Sequence, residues 1–157
     1  MSGIILALLS VVSVIELYPA PQSAYMHEKK QFELKSILPV IMEEAAITGD
    51  TVPELAPLYN TLGYEPTLIP ASMFDVGREA LYIGIATSDS FWRERKLRAY
   101  APDPEKSKPE TYYLTINGDG IFLAAVDRAG LIRGIYTLAQ LISSSLNAGL
   151  IHNGFPT

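Results

Sequence analysis

The stretch Asp127–Ile142 reads DRAGLIRGIYTLAQLI, a regular helix pattern with two glycines in its first half. Leu131, Ile135, Leu138 and Ile142 fall at i, i+4, i+7 and i+11, the spacing of one apolar face of a helix. Asp127 stands where an N-cap belongs, so the helix is expected over about Asp127–Ser143 with that face on a sheet. Gly130 and Gly134 lie one turn apart on an adjacent face. A glycine inside a helix costs roughly 1 kcal/mol relative to alanine. Two of them on one face imply that another element's backbone comes too close for a Cβ. The same G-x-x-x-G spacing as a membrane dimer motif is the weaker reading, because Arg128 and Arg133 interrupt any long apolar span.

The segment before the helix supplies the sheet. Tyr112–Ile116 and Ile121–Val126 are β-forming runs joined by Asn117-Gly118-Asp119-Gly120, whose residues tolerate positive φ, so a hairpin is expected. The NGDG turn joins two strands instead of opening a helix, which argues against a phosphate-binding loop. IFLAAV, at 121–126, is nearly all apolar and is expected to be covered on both faces. Ala80–Thr87 alternates Leu81, Ile83 and Ile85 with Tyr82, Gly84 and Ala86, a strand with small residues on one side. Ala101–Glu110 is a polar, proline-punctuated loop, and a short helix is expected to begin near Ser90.

Further upstream, Ser36 offers an N-cap to a helix carrying Leu38, Ile41, Met42, Ala45 and Ala46, with Pro39 in its first turn and Gly49 as its stop. A second helix follows from the capping-box pair Thr51 and Glu54, with Leu55, Leu58, Tyr59 and Leu62 on one face, a kink at Pro57 and an end at Gly63. Residues 19–36 read as extended chain or a loose hairpin, Phe32 and Leu34 alternating. Leu150–Thr157 looks like the start of one more strand.

The chain has 157 residues, 48 % apolar and 18 % charged, which suits one globular domain with its own core. A net charge of −5 disfavours a nucleic-acid partner. The cluster Arg93, Arg95, Lys96 and Arg98 encloses Glu94 and reads as a solvated helix face. Cysteine is absent, which excludes disulfide and thiolate chemistry. Gly3–Ile15 is uncharged and has the length of a secretory h-region, too short for a comfortable membrane span. It lacks a basic n-region and a small-x-small cleavage site. Residues 1–15 are therefore read as an apolar leader or an extra buried strand or helix, the first alternative implying a secreted or periplasmic protein.

Candidate chemistry is sparse, and no catalytic, cofactor-binding or metal residue is assigned. His27 and His152 are far apart, with no cysteine or HExxH pairing to suggest zinc. Glu43 and Glu44 are adjacent, pointing about 100° apart on a helix. Ser143–Ser145 have no histidine nearby and no G-x-S-x-G setting. Trp92, Tyr82, Tyr112 and Tyr113 could stack on a sugar, although aromatics in strands more often serve as core or cross-strand partners.

The run YYLTINGDGIFLAAVDRAGLIRGIYTLAQLI, with the opening ELYPAPQSAYMHEKKQFEL, resembles the N-terminal accessory domain of family 20 glycoside hydrolases, the β-N-acetylhexosaminidases. Family 84 hexosaminidases, which carry a similar domain, are the near alternative. The resemblance covers roughly residues 16–155 and rests on Pro19, Pro21 and Gln22, then Gly130, Gly134, Thr137, Leu138, Gln140 and Leu141. Tyr136 departs from it, a glutamine being common there. It implies an α+β, zincin-like fold without zinc, a mainly antiparallel sheet with two principal helices packed on one face, and the strands and helices read above agree. In that family hydrolysis belongs to a following TIM barrel, where an Asp–Glu pair uses the substrate's acetamido group, so no catalytic position carries over to this chain. The implied organisation is a single accessory domain over 16–157, inactive alone, partnered by a downstream barrel and, through it, amino-sugar glycans. The rival reading is a free-standing carbohydrate-binding or protein-interaction module that uses exposed tyrosines and Trp92.

Overall fold

The structure is a computed structural model that describes residues 4–6, 32–34, 39–42, 53–63, 67–73, 80–86, 92, 97–117 and 119–147. The helix of the opening stretch is present and runs Arg128–Asn147 (α2). Asp127 caps it: the Gly130 amide donates to the Asp127 carboxylate at 2.8 Å, and the Leu131 amide donates to the Asp127 carbonyl at 3.0 Å. Leu131, Ile135, Leu138 and Ile142 are buried, Ile135 and Leu138 completely. Each such side chain contributes about 1.5–3 kcal/mol by leaving water, enough to outweigh the two glycines.

Those glycines are explained by close approach, in two different ways. A Cβ on Gly130 would lie 2.9 Å from the backbone carbon and oxygen of Glu110 and from the carbonyl oxygen of Thr111, which is the backbone approach expected. A Cβ on Gly134 would meet side chains instead, overlapping Leu123 and lying 3.1 Å from the ring of Tyr112.

The sheet against which α2 packs has five strands, Val40–Met42 (β3), Leu68–Pro70 (β4), Ala80–Ile85 (β5), Tyr112–Asn117 (β6) and Gly120–Ala125 (β7), in the order β4-β3-β5-β7-β6. A separate antiparallel pair, Ile4–Leu6 (β1) with Phe32–Leu34 (β2), aligns Ile4 with Leu34. The class is α+β, as expected, but the five-stranded sheet is mixed and not mainly antiparallel. Only the β6/β7 hairpin is antiparallel, with Tyr112 opposite Ala125 and Asn117 opposite Gly120. The pairs β3/β4, β3/β5 and β5/β7 are parallel. Parallel neighbours need a crossover connection, and the helix Ala56–Leu62 (α1) lies on the one between β3 and β4. The hairpin has a local turn signal, whereas the parallel pairings have none.

The helix expected from Ser36 to Gly49 is overturned where the structure describes it: residues 40–42 are strand β3. Val40, Ile41 and Met42 are each at most 1 % exposed, and strands buried on both faces lose the alternation that marks them. A short apolar run of that kind cannot be told from a buried helix by periodicity. Pro39, just before β3, is likewise outside any helix, and the rest of that expected helix, the expected helix start near Ser90 and the strand start at Leu150 lie outside the described residues, as does Thr51 of the capping box. Gly63 ends α1 as expected, at φ 76° with its amide donating to the Tyr59 carbonyl at 2.9 Å. Pro57 sits in the first turn of α1, where its missing amide breaks no helical bond, so the expected kink has no cause.

Two cores result, one on each side of the sheet. On the first, Val40, Met42, Leu81, Ile83, Ile121 and Leu123 meet Leu55, Leu58 and Leu62 from α1 and its preceding turn, and the buried stripe of α2. Both helices thus pack on one face, as expected. On the second, Ile41, Tyr82, Phe122 and Ala124 meet Trp92 and Leu97. Residues 121–125 are therefore covered on both faces, and Val126 is half-buried.

Candidate functional site

A cluster of paired polar side chains gathers where α2 begins. The Asp127 carboxylate joins two elements, since one oxygen accepts from the Gly130 amide and the other from the Glu110 amide, each at 2.8 Å. These two bonds, Glu110 first and Gly130 next, hold the Asp127 carboxyl below the ordinary aspartate range. Arg133 pairs with the Glu110 carboxylate at 2.6 Å, and Arg128 pairs with Glu54. Glu110 itself has φ 64°, a left-handed backbone that a non-glycine residue adopts only when held there. One turn along α2, the buried Thr137 hydroxyl and the Tyr112 hydroxyl share a hydrogen bond of 2.8 Å. This bond gives a polar threonine a partner inside the core, where an unpaired hydroxyl is costly. None of these contacts had a sequence signal beyond Asp127 as a cap, because Glu54, Glu110 and Arg133 are brought together by tertiary packing alone.

The acidic groups met so far have structural tasks. Asp103 pairs with Lys106 at 3.0 Å and accepts from the Glu105 amide, Glu54 and Glu110 hold arginines, and Asp127 caps. Among the described residues no group of three His, Cys, Asp or Glu side chains is placed to hold a metal ion, and no helix is long and apolar enough to cross a membrane.

The aromatic residues that could face a sugar are mostly inside. Trp92 and Tyr82 are each 2 % exposed, in keeping with the core role favoured for them, and Trp92 is thereby removed from the surface of the rival module. Tyr82 stacks on Phe122 at 4.9 Å between ring centroids, and Tyr100 stacks on Phe122 at 4.1 Å. Asn117, from the hairpin turn, donates to the Tyr100 hydroxyl at 3.2 Å and accepts from the Asp119 amide at 2.8 Å. Tyr112 is half-buried, whereas Tyr113 and Tyr136 are exposed. Arg98 is exposed in a 3-10 turn, Arg98–Tyr100. Ser143 and Ser144 lie half-buried on α2. His27, His152, Glu43, Glu44, Arg93, Arg95 and Lys96 lie outside the described residues.

Comparison with known proteins agrees with this architecture. The model of glycosyl hydrolase family 20, domain 2, matches residues 14–154. No curated protein matches the chain by sequence. Among solved structures, the one described as "Structure of CpGH84D" is similar in fold, with a TM-score of 0.62 and 17 % identity over 82 % of this chain. The chain spans only 21 % of that protein's length. The designation GH84 is that of the near alternative named from the sequence, and at this identity the likeness concerns the fold. Since the family match runs over most of the residues, the chain belongs to domain 2 of glycosyl hydrolase family 20.

Proposed function

We propose that the chain is the non-catalytic accessory domain of a β-N-acetylhexosaminidase-like glycosidase, formed by residues 16–157, and that it supports a TIM-barrel catalytic domain that follows it. The observation that carries this reading is the match to domain 2 of the family over residues 14–154. Chemistry favours it too. Glycoside cleavage needs an acid at the leaving oxygen and a nucleophile, or the substrate's acetamido group, on the other side of the bond. The carboxylates of Glu54, Asp103, Glu110 and Asp127 are instead engaged in ion pairs and in backbone contacts. Amino-sugar glycans are then ligands of the parent enzyme's barrel.

Reading the coding DNA beyond Thr157 tests the organisation directly. The proposal expects an in-frame barrel carrying an adjacent Asp–Glu pair. A stop codon in a normally expressed gene would favour the free-standing module, with Tyr113 and Tyr136 as the exposed tyrosines among the described residues.

A further inference from the structure

Residues 101–110 form a strap that passes from one face of the sheet to the other. At its start Ala101 packs beside Tyr100 on the second core, and Pro102 is buried. At its end Glu110 and Thr111 lie directly on α2 at Gly130, and the Thr111 carbonyl accepts from the Val126 amide at 3.0 Å. Between these ends residues 103–106 and 108–110 are exposed. We propose that the helix-side end of this strap is an acid-released latch, closed by the Asp127 carboxylate and opened when that carboxylate takes up a proton.

An ionised carboxylate only accepts, and here its two oxygens face amide donors on two different elements, Gly130 and Ala129 in α2 and Glu110 in the strap. Adding a proton to one oxygen sets an O–H against an N–H, so one bond weakens. The helix amide is the better held, because Gly130 lies three residues from Asp127 in the same capping turn, whereas the strap amide is reached across 17 residues. The strap amide belongs to a residue with φ 64°, and letting go relaxes that backbone. The charged groups around the latch are Arg133 and Arg128 on α2 and Glu110 on the strap, with Arg128 engaged by Glu54 from the turn before α1. Since folding lowers the Asp127 pKa, the latch contributes its stability above the unfolded aspartate value of ~3.9 and loses it as pH falls through the lower, folded value.

The test is an NMR pH titration of the ¹⁵N,¹³C-labelled chain 1–157, following the Asp127 carboxyl carbon and the amides of Glu110, Gly130 and residues 103–109. The Glu110 amide should titrate with the Asp127 midpoint. Order parameters of 105–110 should fall in that same step from about 0.85 to under about 0.6, while the amides of Leu123 and Ile135 keep their native shifts. Asp127→Asn should show the released pattern at neutral pH and no step on acidification. The wild-type titration decides the matter without it should that variant not fold. A Glu110 amide indifferent to the Asp127 midpoint, or a strap that loosens only when Leu123 and Ile135 also unfold, would overturn the proposal.

Discussion

Phe122→Ala is expected to cost the domain about 3–5 kcal/mol, a large share of the roughly 5–15 kcal/mol that holds a domain folded. Phe122 is 3 % exposed in the middle of β7, and alanine would leave a cavity between two rings that now stack on it. Tyr82 and Tyr100 lie at 4.9 and 4.1 Å with interplanar angles of 10° and 15°, and each stack adds about 0.5–1.5 kcal/mol beyond simple burial. Tyr100 opens the strap, so the substitution should also loosen residues 101–102. Urea unfolding of the variant measures the loss, and a double-mutant cycle with Tyr100→Ala isolates the stacking. A cost under about 0.5 kcal/mol, the size of an ordinary surface change, would contradict the second core.

Gly130→Leu is the next most damaging change. Its Cβ would fall 2.9 Å from backbone atoms of Glu110 and Thr111, which cannot rotate away as a side chain can. Overpacking costs typically about 1–3 kcal/mol, and at a backbone contact the upper end is expected, even after the gain of roughly 1 kcal/mol in helix propensity. The melting temperature should fall by roughly 5–10 °C in a chain of this length. Gly134→Leu meets Leu123 and Tyr112 side chains and should cost less, within the same range of about 1–3 kcal/mol. Ala129→Leu, one residue away on the exposed face, is the control and should lie within about ±0.5 kcal/mol. Equal melting temperatures for Gly130→Leu and Ala129→Leu would remove the reason given for the glycine.

What the sequence made legible and what it hid divide along physical lines. The hairpin and α2 were readable because their signals are local: a turn that tolerates positive φ, a cap at Asp127, and an apolar stripe of period 3.6. Strand β3 was hidden because Val40, Ile41 and Met42 are buried from both sides, so no alternation marks them. With β3 taken for helix, the parallel pairings through it could not be foreseen, and the mainly antiparallel sheet that the resemblance implied went uncorrected. Trp92 was equally ambiguous, since a tryptophan's type does not tell a core residue from a sugar platform. The Asp127–Glu110 link joins residues 17 apart in sequence, and its geometry depends on a left-handed Glu110 that no residue pattern announces. Family membership was legible in the glycines and in Thr137, whose place is now understood. The glycines admit the neighbouring strap and core side chains, and the threonine hydroxyl bonds to Tyr112 inside.

Support for catalysis carried out in another domain is probed by assaying purified 1–157 against an aryl N-acetyl-β-glucosaminide, alone and joined to any barrel encoded downstream. No turnover above a buffer blank is expected for the isolated chain, and turnover is expected when the barrel is attached. Turnover by the isolated chain that disappears on replacing one of its own carboxylates would contradict that supporting role.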